Sequence, residues 1–280
     1  HAGSGIIHAD AYDELRRVAE LLHAPVTTSW AGRGVLPETS ELAIPMPFIP
    51  LNNEVRNDAD LVLVVGSRLG ETDWWGKAPY WRHPSEQQMI QVDIDGHVLG
   101  ANKPAALAVQ ADAKLFLAAL AERLQMSAAG MNLEARRRKV AKYREKAREE
   151  RTKLDEKLAD LAVPMNPAHV AHVCQQVFPA ESVLVADGGN TAVWAMMFTQ
   201  SRVPNTILST FKMGMLGAGV AQATGAAAAR PEHPVCCIIG DGAMGFHPQE
   251  VETAVRNGLR VIWLVLCDKQ WGMVKMNQQF

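Results

Sequence analysis

The sequence predicts an α/β protein of two open, mainly parallel-sheet, three-layer domains. Three observations predict it. Apolar runs of strand length alternate with helical periodicities along most of the 280 residues. Most of those runs end in Gly or Asp, at the strand ends where a parallel sheet opens its ligand crevice. A charged stretch free of Gly and Pro separates two such series. The chain has about two domains' length, and at 48% hydrophobic and 21% charged residues it can bury a sizeable core.

In the first half, residues 10–22 place Leu15, Val18, Ala19 and Leu22 at helical spacing, and 24–28 begin a short β-branched strand. Residues 61–65, followed by Gly66-Ser67-Arg68, read as a strand covered on both faces; 89–95 read as another. A helix follows over 112–124, with Leu115, Phe116, Leu120 and Leu124 on one stripe. These elements make a domain over 1–130. Between 134 and 157 there are 11 Lys or Arg and 6 Asp or Glu, which predicts an exposed linker helix within 131–163. The second domain, 164–280, has a helix to about 177 and strands at 182–186, 235–239 and 261–266. A Gly-rich turn stands at 187–190, and helices are expected at 216–229 and 248–257.

Composition removes several classes of function. Lys and Arg number 28 against 30 Asp and Glu, so no net field favours nucleic acid or an anionic membrane. The mixed charges of 134–157, with Tyr143 as their one aromatic, make a poor nucleic-acid arm. No apolar run approaches the ~20 residues that span a bilayer. Cys174, Cys236, Cys237 and Cys267 form no CxxC pair, so reduced thiols in a cytoplasmic compartment are expected and structural zinc is unsupported. With neither an initiator Met nor a signal-peptide pattern at His1, the chain reads as a segment of a longer protein.

The chemistry concentrates in the second domain. Asp241, within Gly240-Asp241-Gly242, and Asp268 each stand just past a strand, 27 residues apart and separated by one helical crossover. That connection brings both carboxylates to one sheet edge. Two carboxylates there, with glycines and a helix N-terminus behind them, suit a magnesium-bound diphosphate. Taken alone, Gly-Asp-Gly is equally a plain turn whose Asp caps the next helix.

The run from Ile239 through Gly245 and Phe246, then Gln249 to Val255, Gly258-Leu259, Val265-Leu266-Cys267-Asp268 and Gly272-Met273-Val274, closely resembles the diphosphate-binding motif of thiamine-diphosphate enzymes. More narrowly, it resembles the acetolactate synthase, pyruvate oxidase and benzaldehyde lyase group. Asp187-Gly188-Gly189-Asn190 matches the group's first cofactor turn, and the segment from Gly214 to Ala226 resembles the one that cradles the aminopyrimidine ring. ADLVLVVGSRLGE and MIQVDIDGHVLGANKPA are similar to strands of its Rossmann-like central domain. The likeness spans nearly the whole chain and about two of the family's three domains.

The resemblance implies that Asp241 and Asp268 are Mg²⁺ ligands, with a third oxygen from the Gln270 backbone. It implies that Gly242 and Ala243 offer N–H groups to the diphosphate, and that Gly189, Asn190 and Thr191 flank it. Leu216 falls at the apolar wedge beneath the bent cofactor, and the Gly214 carbonyl where the 4′-amino group is held. Their plainer readings are helix-packing core and loop glycine. The implied activity is decarboxylation or C–C cleavage of a 2-oxo acid or related carbonyl with acyl-anion transfer, in a homodimer or homotetramer. The family's proton-transferring glutamate lies on an N-terminal domain, so no catalytic residue is assigned here and this segment alone is expected to be inactive. Two departures stand out. Cys267-Asp268 replaces the usual Asn-Asn, and Pro45 to Pro50 replaces a Gly-rich turn, leaving FAD possible but unsupported. The competing readings are a non-catalytic thiamine-diphosphate-binding homologue and a nucleotide-binding oxidoreductase; for the latter, Gly3, Gly5, Gly66 and Gly70 supply no GxGxxG. Trp74, Trp75, Tyr80 and Trp81 are expected to pack on their own core, His247 to lie at the surface, and His169 with His172 to lack a third metal ligand.

Overall fold

A computed structural model describes residues 1–127, 132–209 and 213–279. The chain divides into two compact units, His1–Thr152 and Lys153–Phe280. The limit expected at 130/131 lies outside the described residues.

The first unit contains α1 (Gly5–His8), α2 (Tyr12–Leu22), α3 (Ile49–Asp58), β1 (Leu61–Val65), β2 (Gln88–Asp93), β3 (Leu107–Gln110), α4 (Ala113–Ser127) and most of α5 (Glu134–Leu158). Its parallel sheet runs β1-β2-β3, with Val65 opposite Val92 and Val92 opposite Val109. Side chains alternate across it, as strand geometry requires. Val65 and Val92, with the half-buried Leu63 and Ile90, meet Leu15 and Val18 of α2 and Leu117 and Ala121 of α4. Val62, Val64 and Met89 face the other way onto Leu69 and Trp81.

Three local features depart from the expected pattern. Residues 24–28 form only isolated bridges, Thr28 to Ala2 and Val26 to Ala43. Helix α3 follows the proline-rich stretch directly, because Pro50 falls in its first turn, where a missing N–H costs nothing. Helix α5 is not wholly solvated: Val140, Tyr143 and Ala147 repeat at helical spacing and are buried, the last two against Ile44, Leu51 and Val55. Three small or aromatic residues suffice to dock a helix whose other positions are charged.

The second unit contains α6 (Ala168–Val177), β4 (Val183–Asp187), α7 (Gly189–Phe198), β5 (Ile207–Ser209), α8 (Ala218–Ala229), β6 (Val235–Gly240), α9 (Asp241–Met244), α10 (Glu250–Arg256), β7 (Val261–Leu266) and α11 (Gly272–Asn277). Its sheet is parallel throughout, in the order β5-β4-β6-β7. Val183, Val185, Val235, Cys237 and Ile239 pack on Val220, Ala223 and Ala227 of α8, whose small residues let it lie close to the strands. Strand β6 is buried along its length apart from Gly240, whereas β7 is a half-exposed edge with Ile262 and Val265 open to solvent. Both units are therefore open parallel-sheet α/β structures.

Candidate functional site

Strand register fixes where the candidate residues meet. Asp187 pairs with Ile239 and Gly240 with Leu266, so β4, β6 and β7 end level with one another. Asp187-Gly188-Gly189, Gly240-Asp241-Gly242 and Cys267-Asp268 consequently emerge on one rim. The expected turn at 187–190 is shorter than its composition indicates, because α7 already begins at Gly189 and places Gly189, Asn190 and Thr191 in its first turn. The residue preceding that helix is Gly188, which has no side chain to cap the leading N–H groups.

Four segments are held together at this rim by close backbone approaches. A Cβ on Gly240 would lie 3.3 Å from Thr191 Oγ1, so the second turn rests on the first. A Cβ on Gly272 would lie 2.9 Å from Asp268 Oδ2 and 3.2 Å from Asn190 Nδ2, which brings the loop after β7 to the start of α7. Gly217, at φ +88°, lies so near Phe246 that a Cβ would come within 2.6 Å of that side chain. This tight fit joins the 213–217 segment to the turn after β6. Asp187 completes the set. Its Oδ1 accepts the Gly188 N–H at 2.6 Å and its Oδ2 accepts the Gly219 N–H at 2.7 Å.

Both acidic side chains contact the loop after β7, Asp241 from the start of α9 and Asp268 from within the loop. Asp241 Oδ2 accepts the Lys269 N–H at 3.1 Å and contacts Cys267 Sγ at 3.5 Å; its Oδ1 accepts the Gly242 N–H at 3.0 Å. Asp268 Oδ1 accepts the Gln270 N–H at 3.2 Å, and the Gln270 side chain is held by Lys275 Nζ at 2.8 Å. Ala243 is buried behind Gly242, Leu216 is half-buried against the α8 cluster, and Gly214 is exposed with φ +61°. No three His, Cys, Asp or Glu side chains converge as a metal cluster among the described residues. A cation at this rim would thus draw on two carboxylates, a backbone carbonyl and oxygens from a ligand.

Sequence reasoning named Asp187 only as part of the first turn, and assigned no role to it or to Trp271. Asp187 is 1% exposed, and its role follows only from the spatial meeting of β4 with the start of α8. Trp271 lies over Gly242, 2.6 Å from the position a Cβ there would take, and is stacked with Phe246 at 6.1 Å. Burial, and then the neighbouring Asp187 carboxylate, push the Cys237 thiol up to about 12, so this sulfur beside the rim stays protonated. The aromatic group in the first unit divides: Trp81 is fully buried, Trp74 stacks on Tyr80 at 4.0 Å, and Trp75 is exposed. His247 is exposed, as expected.

Family models match both units. The thiamine pyrophosphate enzyme central domain covers residues 1–120, and the C-terminal TPP binding domain covers 187–280. The chain belongs to the thiamine pyrophosphate enzymes, of which it carries the central domain and the cofactor-binding domain. It is 29% identical over 99% of its length to sulfoacetaldehyde acetyltransferase of Alcaligenes xylosoxydans xylosoxydans, covering 49% of that protein. It is 29% identical over 99% of its length to the acetolactate synthase large subunit of Corynebacterium glutamicum, covering 44%. With 2-hydroxyacyl-CoA lyase of Arabidopsis thaliana it shares 28% identity over 94% of its length, covering 45%. The chain thus spans just under half the length of these relatives. A solved Mycobacterium smegmatis structure assigned to the thiamin diphosphate-dependent enzymes has the same fold, with TM-score 0.69 and 22% identity over 95% of this chain and 49% of that one. Among the described residues no helix is long and apolar enough to cross a membrane.

Proposed function

We propose that this chain forms the cofactor-holding part of an acetolactate-synthase-like enzyme, dependent on thiamine diphosphate and Mg²⁺, that decarboxylates or cleaves 2-oxo acids or related carbonyls and transfers the acyl fragment. The observation that carries this reading is the level ending of β4, β6 and β7, which gathers Gly189-Asn190-Thr191, Asp241-Gly242-Ala243 and Asp268 on one rim. Its donor set fits the cofactor. Two carboxylates and a carbonyl are hard oxygen ligands, and Mg²⁺ commonly takes one or two carboxylates and completes its shell with phosphate oxygens and water. The uncapped start of α7 suits the negative diphosphate.

When bound, thiamine diphosphate supplies the nucleophilic carbon and the electron sink for the reaction. The chain's residues hold and orient it. Asp241, Asp268 and the Gln270 carbonyl would hold the cation, and the N–H groups of Gly242 and Ala243, with Gly189 to Thr191, would neutralise the diphosphate. Leu216 would supply an apolar contact to the cofactor, and the Gly214 carbonyl would accept a hydrogen bond from its amino group. Asp268 in place of an amide adds a negative charge, which would tighten the metal clamp and call for fuller neutralisation. The free cysteines suit a cytoplasmic enzyme, and the exposed apolar edge at Ile262 and Val265 suits a homo-oligomer or the remaining chain.

Titration calorimetry of the full-length protein with thiamine diphosphate and Mg²⁺ tests the metal clamp. Asp241→Ala is expected to abolish Mg²⁺-dependent binding, and an unchanged affinity rejects the assignment. Leu216→Ala is expected to leave binding largely intact while slowing exchange of the cofactor's C2 proton; unaltered exchange removes the wedge role.

A further inference from the structure

The loop after β7 turns on a residue in an uncommon conformation. Lys269 has φ +57°. Among the described residues of the second unit, Asn205 is the other non-glycine residue with positive φ, and asparagine tolerates that region far better than lysine. The Lys269 side chain does not hold the backbone there: it is exposed, and its ammonium group has no hydrogen-bond or ion-pair partner among the described residues. The holding contacts are on the main chain. The Lys269 N–H donates to Asp241 Oδ2 at 3.1 Å, and the next N–H, of Gln270, donates to Asp268 Oδ1 at 3.2 Å. The φ and ψ of residue 269 set the angle between these two successive N–H groups, so the left-handed turn is what lets them meet two different carboxylates. Three residues on, Gly272 closes the loop on Asp268 so tightly that a Cβ would lie 2.9 Å from its Oδ2.

We propose that Lys269 is a positioning residue of the cation clamp, acting through its left-handed backbone and not through its charge: the turn at 269 sets Asp241 and Asp268 in a fixed relation before the cation arrives. This rests on the clamp proposed above. An outlier conformation costs free energy and persists only where its surroundings enforce it; here the enforcing contacts are the two N–H bonds to the acidic pair. Those bonds leave the clamp usable. A carboxylate oxygen accepts more than one bond, and Asp268 Oδ2 accepts none among the described residues. Orienting both acids in advance spares the ordering cost that two freely rotating side chains would impose on metal binding. A residue at 269 that resists positive φ releases the loop from Asp241, and the Gln270 backbone with it. The lysine charge works the other way. An ammonium group next in sequence to the clamp repels a cation, so removing it does not weaken metal binding.

The test is calorimetric titration of the full-length protein with Mg²⁺, thiamine diphosphate being in excess, across Lys269→Gly, Lys269→Asn, Lys269→Val and Asp241→Ala. Lys269→Val, whose β-branched side chain disfavours the left-handed region, is expected to weaken Mg²⁺ binding roughly tenfold, the factor equivalent to its added backbone cost. Lys269→Gly and Lys269→Asn, uncharged but at ease there, are expected to bind within about threefold of the parent or more tightly. A lowered urea midpoint in Lys269→Val with unchanged Mg²⁺ affinity overturns the proposal. Equal weakening in all three also overturns it, since the effect then belongs to the ammonium group. Should Lys269→Val fail to fold, Lys269→Thr, β-branched with a polar side chain, replaces it under the same expectations. Asp241→Ala separates this inference from the reading beneath it: unchanged affinity there rejects the clamp itself, whereas lost binding there with parent-like affinity in Lys269→Val rejects the positioning role alone.

Discussion

Asp187 accepts two backbone N–H groups while almost wholly buried, so removing its carboxylate strands two donors inside the protein. Asp187→Ala is expected to cost about 3 kcal/mol in urea unfolding, the scale of buried groups left without a charged partner. It also weakens thiamine diphosphate binding, because Gly219 opens the helix behind Leu216; Asp187→Asn, which retains one acceptor oxygen, recovers part of both. Trp271 covers the Gly242 backbone, so a ligand bound as proposed there is expected to displace the indole. Mg²⁺ with thiamine diphosphate is expected to shift tryptophan fluorescence in the full-length protein and to shift it far less in Trp271→Phe. In the first unit, burial pushes the Asp73 carboxyl up, but His1, the Ser67 hydroxyl and Arg56 outweigh it and leave the group below the usual carboxylate range. A carboxylate lowered on folding stabilises above its unfolded titration range and loses that contribution as pH falls through its folded one. Asp73→Asn is therefore expected to cost about 3 kcal/mol at neutral pH and to flatten the acid limb of the stability profile, as followed by denaturant unfolding at several pH values.

At the scale of elements, α5 shows where charge content misleads. The excess of Lys and Arg indicated a solvated face, yet the helix docks through Val140, Tyr143 and Ala147, and Tyr143 OH donates to Asp58 Oδ2 at 2.6 Å. Burial, then the bond to Asp58, raise the phenol well above its ordinary value and keep it a donor. Tyr143→Phe is expected to cost about 2 kcal/mol, the range for a hydrogen bond to a charged group, measured by denaturant unfolding of the full-length protein. Strands β1, β2, β6 and β7 and helices α2, α4 and α8 were legible because their apolar residues recur with a period the core enforces. Strand β3 was not, since Leu107 is exposed and Val109 alone turns toward the core. The Gly-Asp-Gly turn and Asp268 were legible because sequence spacing maps onto a single crossover. The Asp187 clasp and the Trp271 cover were not, because each joins residues more than 25 positions apart through contacts that no local pattern encodes.

Across the whole molecule, each unit has its own core and its own parallel sheet, and either sheet offers strand ends at which a ligand could bind. Thiamine diphosphate bound at the second unit's rim stabilises only states in which β4, β6 and β7 end together, whereas a nucleotide held by the first unit would act through the loops after β1 and β2. Ligand at about 100 times its dissociation constant stabilises a single site by roughly 2.7 kcal/mol, enough to slow amide exchange about a hundredfold in segments that open only when the ligand leaves. Hydrogen exchange of the full-length protein with and without Mg²⁺ and thiamine diphosphate is therefore expected to show new protection in peptides covering 187–191, 214–219, 240–243 and 268–272. On the proposed metal clamp, Asp241→Ala is expected to remove that protection. Protection appearing instead at 66–71 and 93–97, with 240–243 unchanged, would transfer the ligand to the central domain and make the second unit's acidic rim a structural feature of its turns.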